Sequence, residues 1–263
     1  MGLFSSLREW LRRNAVNRSV PGAATHRAEL AYSFIQQGNY LAARELLLKT
    51  LEQRNEIRDV AVLNWLLEAL AWTWTQTEQY RDKTEFFSNY LRLYPNDVRA
   101  YTLRAASLWY SGELRQAIDD YSTALELDPN EILAHMGRGQ VFAECGEYAR
   151  AIDDLDFVHE SLEQNAVANP SWKTQVQAYS LNGRAVARAG LGDFERAMAD
   201  FDRSISLCPD NAWAYFNRAM VYENKGHLEK AMSDYTLSLQ KNMPKLSVLK
   251  RKYAEVKIKT IVV

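Results

Sequence analysis

Residues 98–131 read VRAYTLRAASLWYSGELRQAIDDYSTALELDPNE, and the small and aromatic residues of this stretch return 34 positions later. Gly112, Ala117, Tyr121 and Ala124 are followed by Gly146, Ala151, Leu155 and Val158. A second pair of sets is Gly192, Ala197, Phe201 and Ser204 with Gly226, Ala231, Tyr235 and Ser238. A constant period of about 34 residues is typical of stacked repeats rather than of one globular core. The period therefore predicts a repeat protein and favours a binding function.

Each period contains the signals of a helix, a tight turn and a second helix. Tyr101–Tyr110 is rich in helix formers, Gly112 interrupts it, and Leu114–Leu127 has apolar residues at helical spacing before Pro129. Small residues recur at the eighth position of the period, where they let two helices approach closely. These residues are Ala71, Ala105, Gly139, Ala185 and Ala219.

This pattern resembles the tetratricopeptide repeat, a helix–turn–helix unit of 34 residues. The clearest copies are 98–131, with Tyr101, Ala105, Leu108, Gly112, Ala117, Tyr121, Ala124 and Pro129, and 212–245, with Tyr215, Ala219, Tyr222, Gly226, Ala231 and Tyr235. Copies at 132–165 and 178–211 match well, and weaker copies are 24–57 and 64–97, in which Glu78 and Lys83 depart from the consensus. The resemblance implies an all-α, right-handed superhelical solenoid of about six helix pairs with flanking N- and C-terminal helices.

The period is interrupted twice. About one extra helical turn lies near Arg58–Leu63, and twelve residues are added around Gln164–Gln177. Asn169-Pro170 in the second insertion predicts a turn beside Trp172. Two interpretations of this insertion stay open: a longer second helix with a loop, or a loop that contacts a partner through Trp172.

Charge is distributed unevenly along the chain, although the net charge is only −1. Residues 1–22 carry +3 and residues 241–263 carry +6, which leaves the middle with 21 basic and 31 acidic residues. An acidic body argues against nucleic-acid binding. Cys145 and Cys208 lack metal-type spacing, so reduced thiols in the cytoplasm are expected. No apolar run has the length of a membrane helix.

A charged pair recurs inside the last four repeats. Counted from the first residue of each repeat, position 7 is Arg104, Arg138, Arg184 and Arg218, and position 23 is Asp120, Asp154, Asp200 and Asp234. The first two repeats have apolar residues at both positions: Leu30 with Leu46, and Leu70 with Phe86. Because the two positions change together, we predict structural ion pairs between the two helices of one repeat. An anion site is the alternative.

No sequence motif of an enzyme is found. The phosphate-binding, dinucleotide-binding, zinc-protease and nucleophile-elbow motifs are all absent. The four histidines, His26, His135, His159 and His227, are scattered without Cys or carboxylate at ligand spacing. Adjacent carboxylates such as Asp119-Asp120 and Asp153-Asp154 point apart on a helix. We therefore expect no catalytic residue, no metal and no cofactor.

The resemblance also implies a concave groove lined by the first helix of each repeat. The side chains that it assigns to this groove are Trp65, Trp72, Arg99, Trp109, Met136, Gln140, Tyr179, Asn182, Trp213, Phe216, Asn217 and Met220, with Glu223 beside them. Family members that clasp the acidic C-terminus of chaperones have Lys at position 5 and Asn at position 9, and neither occurs here. An aromatic and Met-rich groove favours a peptide or helix with an apolar face. The alternative is that several of these aromatics pack between repeats.

Both ends of the chain differ from the repeats. Residues 1–22 place Leu3, Phe4, Leu7, Trp10 and Leu11 on one helical face and Arg8, Arg12 and Arg13 on another, before Pro21-Gly22. This basic amphipathic helix is interpreted as a cap that folds on the first repeat or into the groove, with weak contact to a membrane surface as the alternative. Residues 246–263 predict a basic capping helix and tail, in which Val256–Val263 alternates like a strand.

These features together predict a non-enzymatic adaptor or scaffold that binds a protein or peptide in its groove. Two alternatives stay open. One is a chaperone-like protein that shields an apolar segment of its partner. The other is an adaptor at the periphery of a membrane, attached through residues 1–22.

Overall fold

A computed structural model describes residues 22–53, 55, 57, 60–164, 170–241 and 248–261 of the chain. These residues form 13 α-helices and no strand, so the predicted all-α class is confirmed. The helices are α1 (Gly22–Gln36), α2 (Tyr40–Leu51), α3 (Val60–Gln76), α4 (Tyr80–Leu93), α5 (Val98–Tyr110), α6 (Leu114–Leu127), α7 (Ile132–Glu144), α8 (Tyr148–Gln164), α9 (Pro170–Gly190), α10 (Phe194–Leu207), α11 (Ala212–Asn224), α12 (Leu228–Gln240) and α13 (Val248–Ile261). The helix predicted for residues 1–22, with Trp10, lies outside the described residues except for Gly22.

Short turns join the two helices of each repeat, and a left-handed residue ends the first helix. Five of these residues are glycines with φ between 75° and 85° (Gly38, Gly112, Gly146, Gly192 and Gly226). At Gly112 the turn is closed by hydrogen bonds from Gly112 N to Trp109 O (3.0 Å) and from Glu113 N to Leu108 O (2.9 Å). These bonds satisfy carbonyls that the helix end would leave free. In the second repeat Glu78 takes the same conformation, with φ 55°.

The described helices pack as two compact units, one up to Glu113 and one from Leu114 onward. The core of the first unit contains Leu47, Leu66, Leu67, Leu70 and Phe87, all fully buried. The core of the second unit contains Phe142, Leu155, Leu162, Leu181 and Phe201, which are equally buried. The repeated small residues permit this packing: a Cβ atom at Gly139 would lie 2.8 Å from Leu155 Cγ. Helices this close leave no room for a larger side chain.

The predicted strand at Val256–Val263 is wrong for the described residues 256–261, which belong to helix α13. Ala254 is fully buried, and Ile258 four residues later packs against the same cluster as Phe216 and Tyr235. A four-residue spacing places both side chains on one face of a helix. Packing of that face on the last repeat therefore outweighs the local alternation of the sequence.

The second insertion lengthens the helices on both sides of it. Helix α8 continues to Gln164, and α9 begins at Pro170 and runs for 21 residues. Proline suits the first position of a helix because its missing N–H has no helical partner to lose. Trp172 is half-buried and packs against Val158, Leu162 and Val176, so this part of the insertion belongs to the core.

Candidate partner-binding face

The side chains predicted to line a groove lie on the first helix of each repeat. In the first unit these helices are α3 and α5, and in the second unit they are α7, α9 and α11.

In the first unit, most of the predicted side chains contact other residues of the protein. Trp65 is buried in the core, and Trp72 packs against the same cluster. Arg99 forms an ion pair with Glu68, with 3.2 Å between Nε and Oε1. The ring of Trp109 stacks on Tyr110 with 5.3 Å between the centroids. Glu68, at position 5 of its repeat, was not predicted from the sequence as part of this surface; because it pairs with Arg99, Arg99 is not an isolated charge.

In the second unit, side chains of successive first helices contact one another. Gln140 Nε2 donates a hydrogen bond to the carbonyl oxygen of Tyr179 (3.0 Å), which joins α7 to α9. Asn217 Nδ2 donates to Asn182 Oδ1 (3.1 Å), which joins α9 to α11. The three helices therefore form one continuous face, which we call the α7–α9–α11 face. Its incompletely buried side chains are Met136, Gln140, Tyr179, Trp213, Asn217 and Met220.

Two features of this face determine its chemistry. Met220 is the most open of the six residues, at 37% exposed, and it is apolar. Burial, with a smaller contribution from Cys208, raises the pKa of Tyr179 to about 12, so its phenol is neutral at physiological pH. These six side chains therefore offer thioether, aromatic and amide groups, and none of them carries a formal charge.

Three residues that the resemblance assigns to the groove are buried, so the prediction that they line an accessible surface is wrong. Phe216 is 2% exposed: its ring lies 6.1 Å from that of Tyr253 on helix α13 and 5.7 Å from that of Tyr235 on α12. Asn182 is buried beneath its contact with Asn217, and Trp65 belongs to the core of the first unit. These side chains are not available to a partner on the surface.

Helix α13 also neutralises the acidic residue beside the face. Glu223 accepts hydrogen bonds from Lys257 and from the Tyr235 hydroxyl, the latter at 2.7 Å. Burial alone would raise the pKa of Glu223, but these hydrogen bonds outweigh it and lower that pKa. Glu223 is therefore an ionised and paired group rather than a free acidic site.

Three of the four Arg–Asp pairs named from the sequence are bidentate within one repeat. The two N–O distances are both 2.8 Å for Arg138 with Asp154. They are both 2.9 Å for Arg184 with Asp200, and 2.7 and 2.9 Å for Arg218 with Asp234. The fourth pair, Arg104 with Asp120, would connect helices of different units and stays a prediction.

The same arginines also contact the preceding repeat, which the sequence analysis missed. Nη1 donates from Arg184 to Asp156 at 2.6 Å and from Arg218 to Asp202 at 2.5 Å. Where the acceptor is serine the contact is longer: 3.2 Å from Arg138 to Ser122 and 3.3 Å from Arg104 to Ser88. All four acceptors stand at position 25, so the repeat register contained a signal that could have found them.

Two further side chains join these pairs. Arg188 Nη1 lies 2.6 Å from Asp200 Oδ2. His135 Nδ1 lies 2.8 Å from Asp154 Oδ1, and its Nε2 lies 3.0 Å from the carbonyl oxygen of Pro129. Burial alone would raise the pKa of Asp154, but hydrogen bonds from Arg138 and His135 outweigh it and lower that pKa. This carboxylate is held ionised by contacts within the fold.

Other kinds of site receive no support from the described part of the chain. Within it, no group of three or more His, Cys, Asp or Glu residues is placed to hold a metal ion. Nor does any helix described there combine the length and apolar character that crossing a membrane requires.

Comparison with known proteins identifies the repeat. Sequence profiles described as tetratricopeptide repeat match residues 178–211 and 201–232, and one described as TPR repeat matches residues 107–146. Tetratricopeptide repeat protein 36 of Caenorhabditis elegans is 31% identical over 84 residues. That match covers 32% of this chain and 45% of the relative, so it spans less than half of the relative's length.

Solved structures show the same fold at low sequence identity. A tetratricopeptide repeat protein from Parabacteroides merdae is similar over 92% of this chain and 93% of its own, with 19% identity and a TM-score of 0.58. A chain of the APC/C hetero-tetramer Cut9-Hcn1 is similar over 100% of this chain and 47% of its own, with 14% identity and a TM-score of 0.72. The period, the helix pairs and the matching profiles together identify tetratricopeptide repeats in this chain, at residues 107–146 and 178–232.

Proposed function

We propose that this protein is a non-enzymatic adaptor that holds a peptide or helix with an apolar face against the α7–α9–α11 face. The tetratricopeptide repeats identified in the chain support the coarser role, a scaffold for protein–protein interaction. Repeat proteins of this kind present extended surfaces on which binding depends on side chains from several repeats.

Support for this location comes from the continuity of the face. The contacts from Gln140 to Tyr179 and from Asn217 to Asn182 connect three successive first helices without a gap. A partner that lies across these helices would meet Met136, Trp213 and Met220 as apolar contacts. The amides of Gln140 and Asn217 both donate and accept, so they suit the backbone of an extended peptide or the polar edge of a helix.

None of the six side chains named on this face carries a formal charge, which predicts how affinity for a partner depends on salt. Ion pairs between exposed groups are screened by salt, whereas burial of apolar surface is not. Affinity for the α7–α9–α11 face should therefore change little as salt concentration increases.

Cys145 and Cys208 are free thiols, which supports the cytoplasm as the compartment in which this binding takes place.

The test uses the full chain as bait in an affinity capture followed by mass spectrometry. Met220→Glu places a charge at the most open residue of the face, and Leu228→Glu introduces a glutamate on α12 at a residue that is 45% exposed. We expect a partner that the wild type and Leu228→Glu both capture and that Met220→Glu loses. Circular dichroism should show the same helix content in all three proteins.

The partner identified in this way is then titrated against the purified protein at low and high salt. Nearly equal affinities, with a loss of at least about tenfold for Met220→Glu, would support the proposal. Retention of the partner by Met220→Glu, or a binding constant that collapses as salt increases, would show that another surface binds it.

A further inference from the structure

We propose that residues 3–11 dock as a helix on the outer face of the first repeat and form an N-terminal cap, with residues 12–21 as the connection to α1. The outer face is defined by Leu30 and Phe34 on α1 and by Leu46 on α2. This contact is independent of the partner-binding face proposed above.

Position 7 of a repeat is directed toward the repeat that precedes it. Arg104 reaches Ser88, Arg184 reaches Asp156, and in each case the acceptor lies on the second helix of the preceding repeat. Leu30 occupies position 7 of the first repeat. Its side chain is therefore placed where a preceding element would pack.

The first two repeats show what a preceding element does at this position. Leu70, at position 7 of the second repeat, is 0% exposed and belongs to the same cluster as Leu48 of the first repeat. Leu30 is 40% exposed. Four residues further along, Trp74 is buried, whereas the equivalent Phe34 is half-buried. The first repeat thus covers this apolar surface on the second repeat. Its own equivalent surface, at Leu30 and Phe34, is only partly covered.

The composition of this face determines the chemistry of its occupant. In the last repeats position 7 is an arginine that needs an acidic or hydroxyl partner, but here positions 7 and 23 are both leucine. An apolar helix face therefore fits. Residues 3–11 supply one, with Leu3, Phe4, Leu7, Trp10 and Leu11 on one side and Arg8 on the other. A helix this short is unstable alone, so docking is what would make it helical.

The connection is long enough for this arrangement. Residues 12–21 can span up to about 33 Å when extended. Leu30 lies about 12 Å along α1 from Gly22, at 1.5 Å per helical residue. Pro21-Gly22 favours a reversal of chain direction at the start of α1. The segment can therefore reach Leu30 and Phe34 antiparallel to α1.

Hydrogen–deuterium exchange of the full chain, read by mass spectrometry, tests the cap. We expect amides of residues 3–11 to be protected in the wild type and to exchange like an unstructured peptide in Leu30→Asp. Leu228→Asp is the matched control, because it makes the same change at a leucine of similar exposure, and there the protection should remain. Trp10→Asp alters only the segment, so it should abolish protection of residues 3–11 even if Leu30→Asp perturbs α1 itself.

Each other result overturns the cap. Absence of protection in the wild type means that the segment is free, and protection that survives both Leu30→Asp and Trp10→Asp means that it docks elsewhere. Protection that increases with protein concentration, together with a dimeric mass in light scattering, identifies a second copy of the chain as the occupant. Protection that develops only with anionic phospholipid vesicles assigns the segment to a membrane surface.

Discussion

The guanidinium of Arg184 lies 2.6 Å from the carboxylate of Asp156, although the two residues belong to successive repeats. Because the same guanidinium also binds Asp200 of its own repeat, one side chain joins three helices, α8, α9 and α10. The stability of a repeat protein is approximately the sum of the repeats and of the interfaces between neighbours. The Arg184–Asp156 contact stabilises one such interface. In the other repeats the length of the equivalent contact depends on whether position 25 is aspartate or serine.

Ser122→Asp should strengthen the interface that Arg138 makes with the preceding repeat. Serine accepts the Arg138 hydrogen bond at 3.2 Å, whereas aspartate in the equivalent contacts accepts at 2.6 and 2.5 Å. A partly exposed ion pair contributes about 0.5–1 kcal/mol, so we expect the free energy of unfolding, measured by urea titration, to increase by that amount. Thr123→Asp adds the same charge one residue later, away from Arg138. An equal effect of both substitutions, or one that high salt leaves unchanged, would contradict the contact.

Glu78→Gly should stabilise the second repeat. Glu78 has φ 55°, whereas glycine occupies the equivalent turn position in the other five repeats. The left-handed conformation costs a non-glycine residue about 1–2 kcal/mol, and the greater freedom of glycine in the unfolded chain offsets part of the gain. We therefore expect a gain of up to about 1 kcal/mol in the free energy of unfolding, measured by urea titration.

The reverse substitution, Gly146→Glu, is the control for this prediction. A Cβ atom at Gly146 would meet nothing within 4 Å, so its φ of 80° is the main source of strain. Gly146→Glu should lower the free energy of unfolding by an amount similar to the gain from Glu78→Gly. If Glu78→Gly and Gly146→Glu change stability in the same direction, the backbone explanation is wrong.

His159 should make the protein less stable as the pH falls below neutrality. Burial, with a smaller contribution from Arg184, lowers the pKa of His159 from 6.5 to about 4. Between these values the unfolded chain binds a proton that the folded chain does not, so the free energy of unfolding decreases as the pH falls. His159→Gln removes this contribution and should lose less stability than the wild type between about pH 7 and about pH 5.

The control for His159 is His26→Gln, because His26 is exposed on α1. It should retain the pH dependence of the wild type. Identical pH dependence in His159→Gln and the wild type would show that His159 is not the group responsible.

Gly137→Ala should destabilise the second unit. A Cβ atom at Gly137 would lie 2.3 Å from Tyr121 Cζ, and Tyr121 is buried and cannot move aside without repacking. Overpacking of this kind costs about 1–3 kcal/mol, which exceeds the gain of about 1 kcal/mol from replacing a helical glycine by alanine. We expect a lower melting temperature in calorimetry.

Gly183→Ala is the matched control for the Tyr121 contact. The nearest atoms to its Cβ would be Gln140 Cγ at 3.0 Å and Leu155 Cδ1 at 3.2 Å, so shifts of a few tenths of an ångström would relieve the contact, against 2.3 Å at Gly137. Its melting temperature should stay near that of the wild type. Equal losses in the two variants would mean that contact with Tyr121 is not the cause.

Several of these features could be predicted from the sequence because they depend on the repeat itself. The turn glycines recur at one position of the repeat. Arg138 and Asp154 stand at positions 7 and 23, which are both apolar in the first two repeats and are Arg and Asp in the last four. Other features could not be predicted in this way. Residues 256–261 alternate like a strand, yet they are helical because Ala254 and Ile258 pack on the last repeat. The exposure of Leu30, compared with that of Leu70, depends on which element packs in front of each repeat.

The helix pairs and the tetratricopeptide repeat pattern follow from the sequence alone, because both depend on short-range periodicity that each repeat expresses again. Which side chains of the first helices stay accessible depends instead on the fold. Phe216 and Met220 both stand at positions that the resemblance assigns to the groove, but Tyr253 of α13 packs on Phe216, whereas Met220 remains 37% exposed. Burial is set by elements distant in the chain, whose contacts no local pattern encodes.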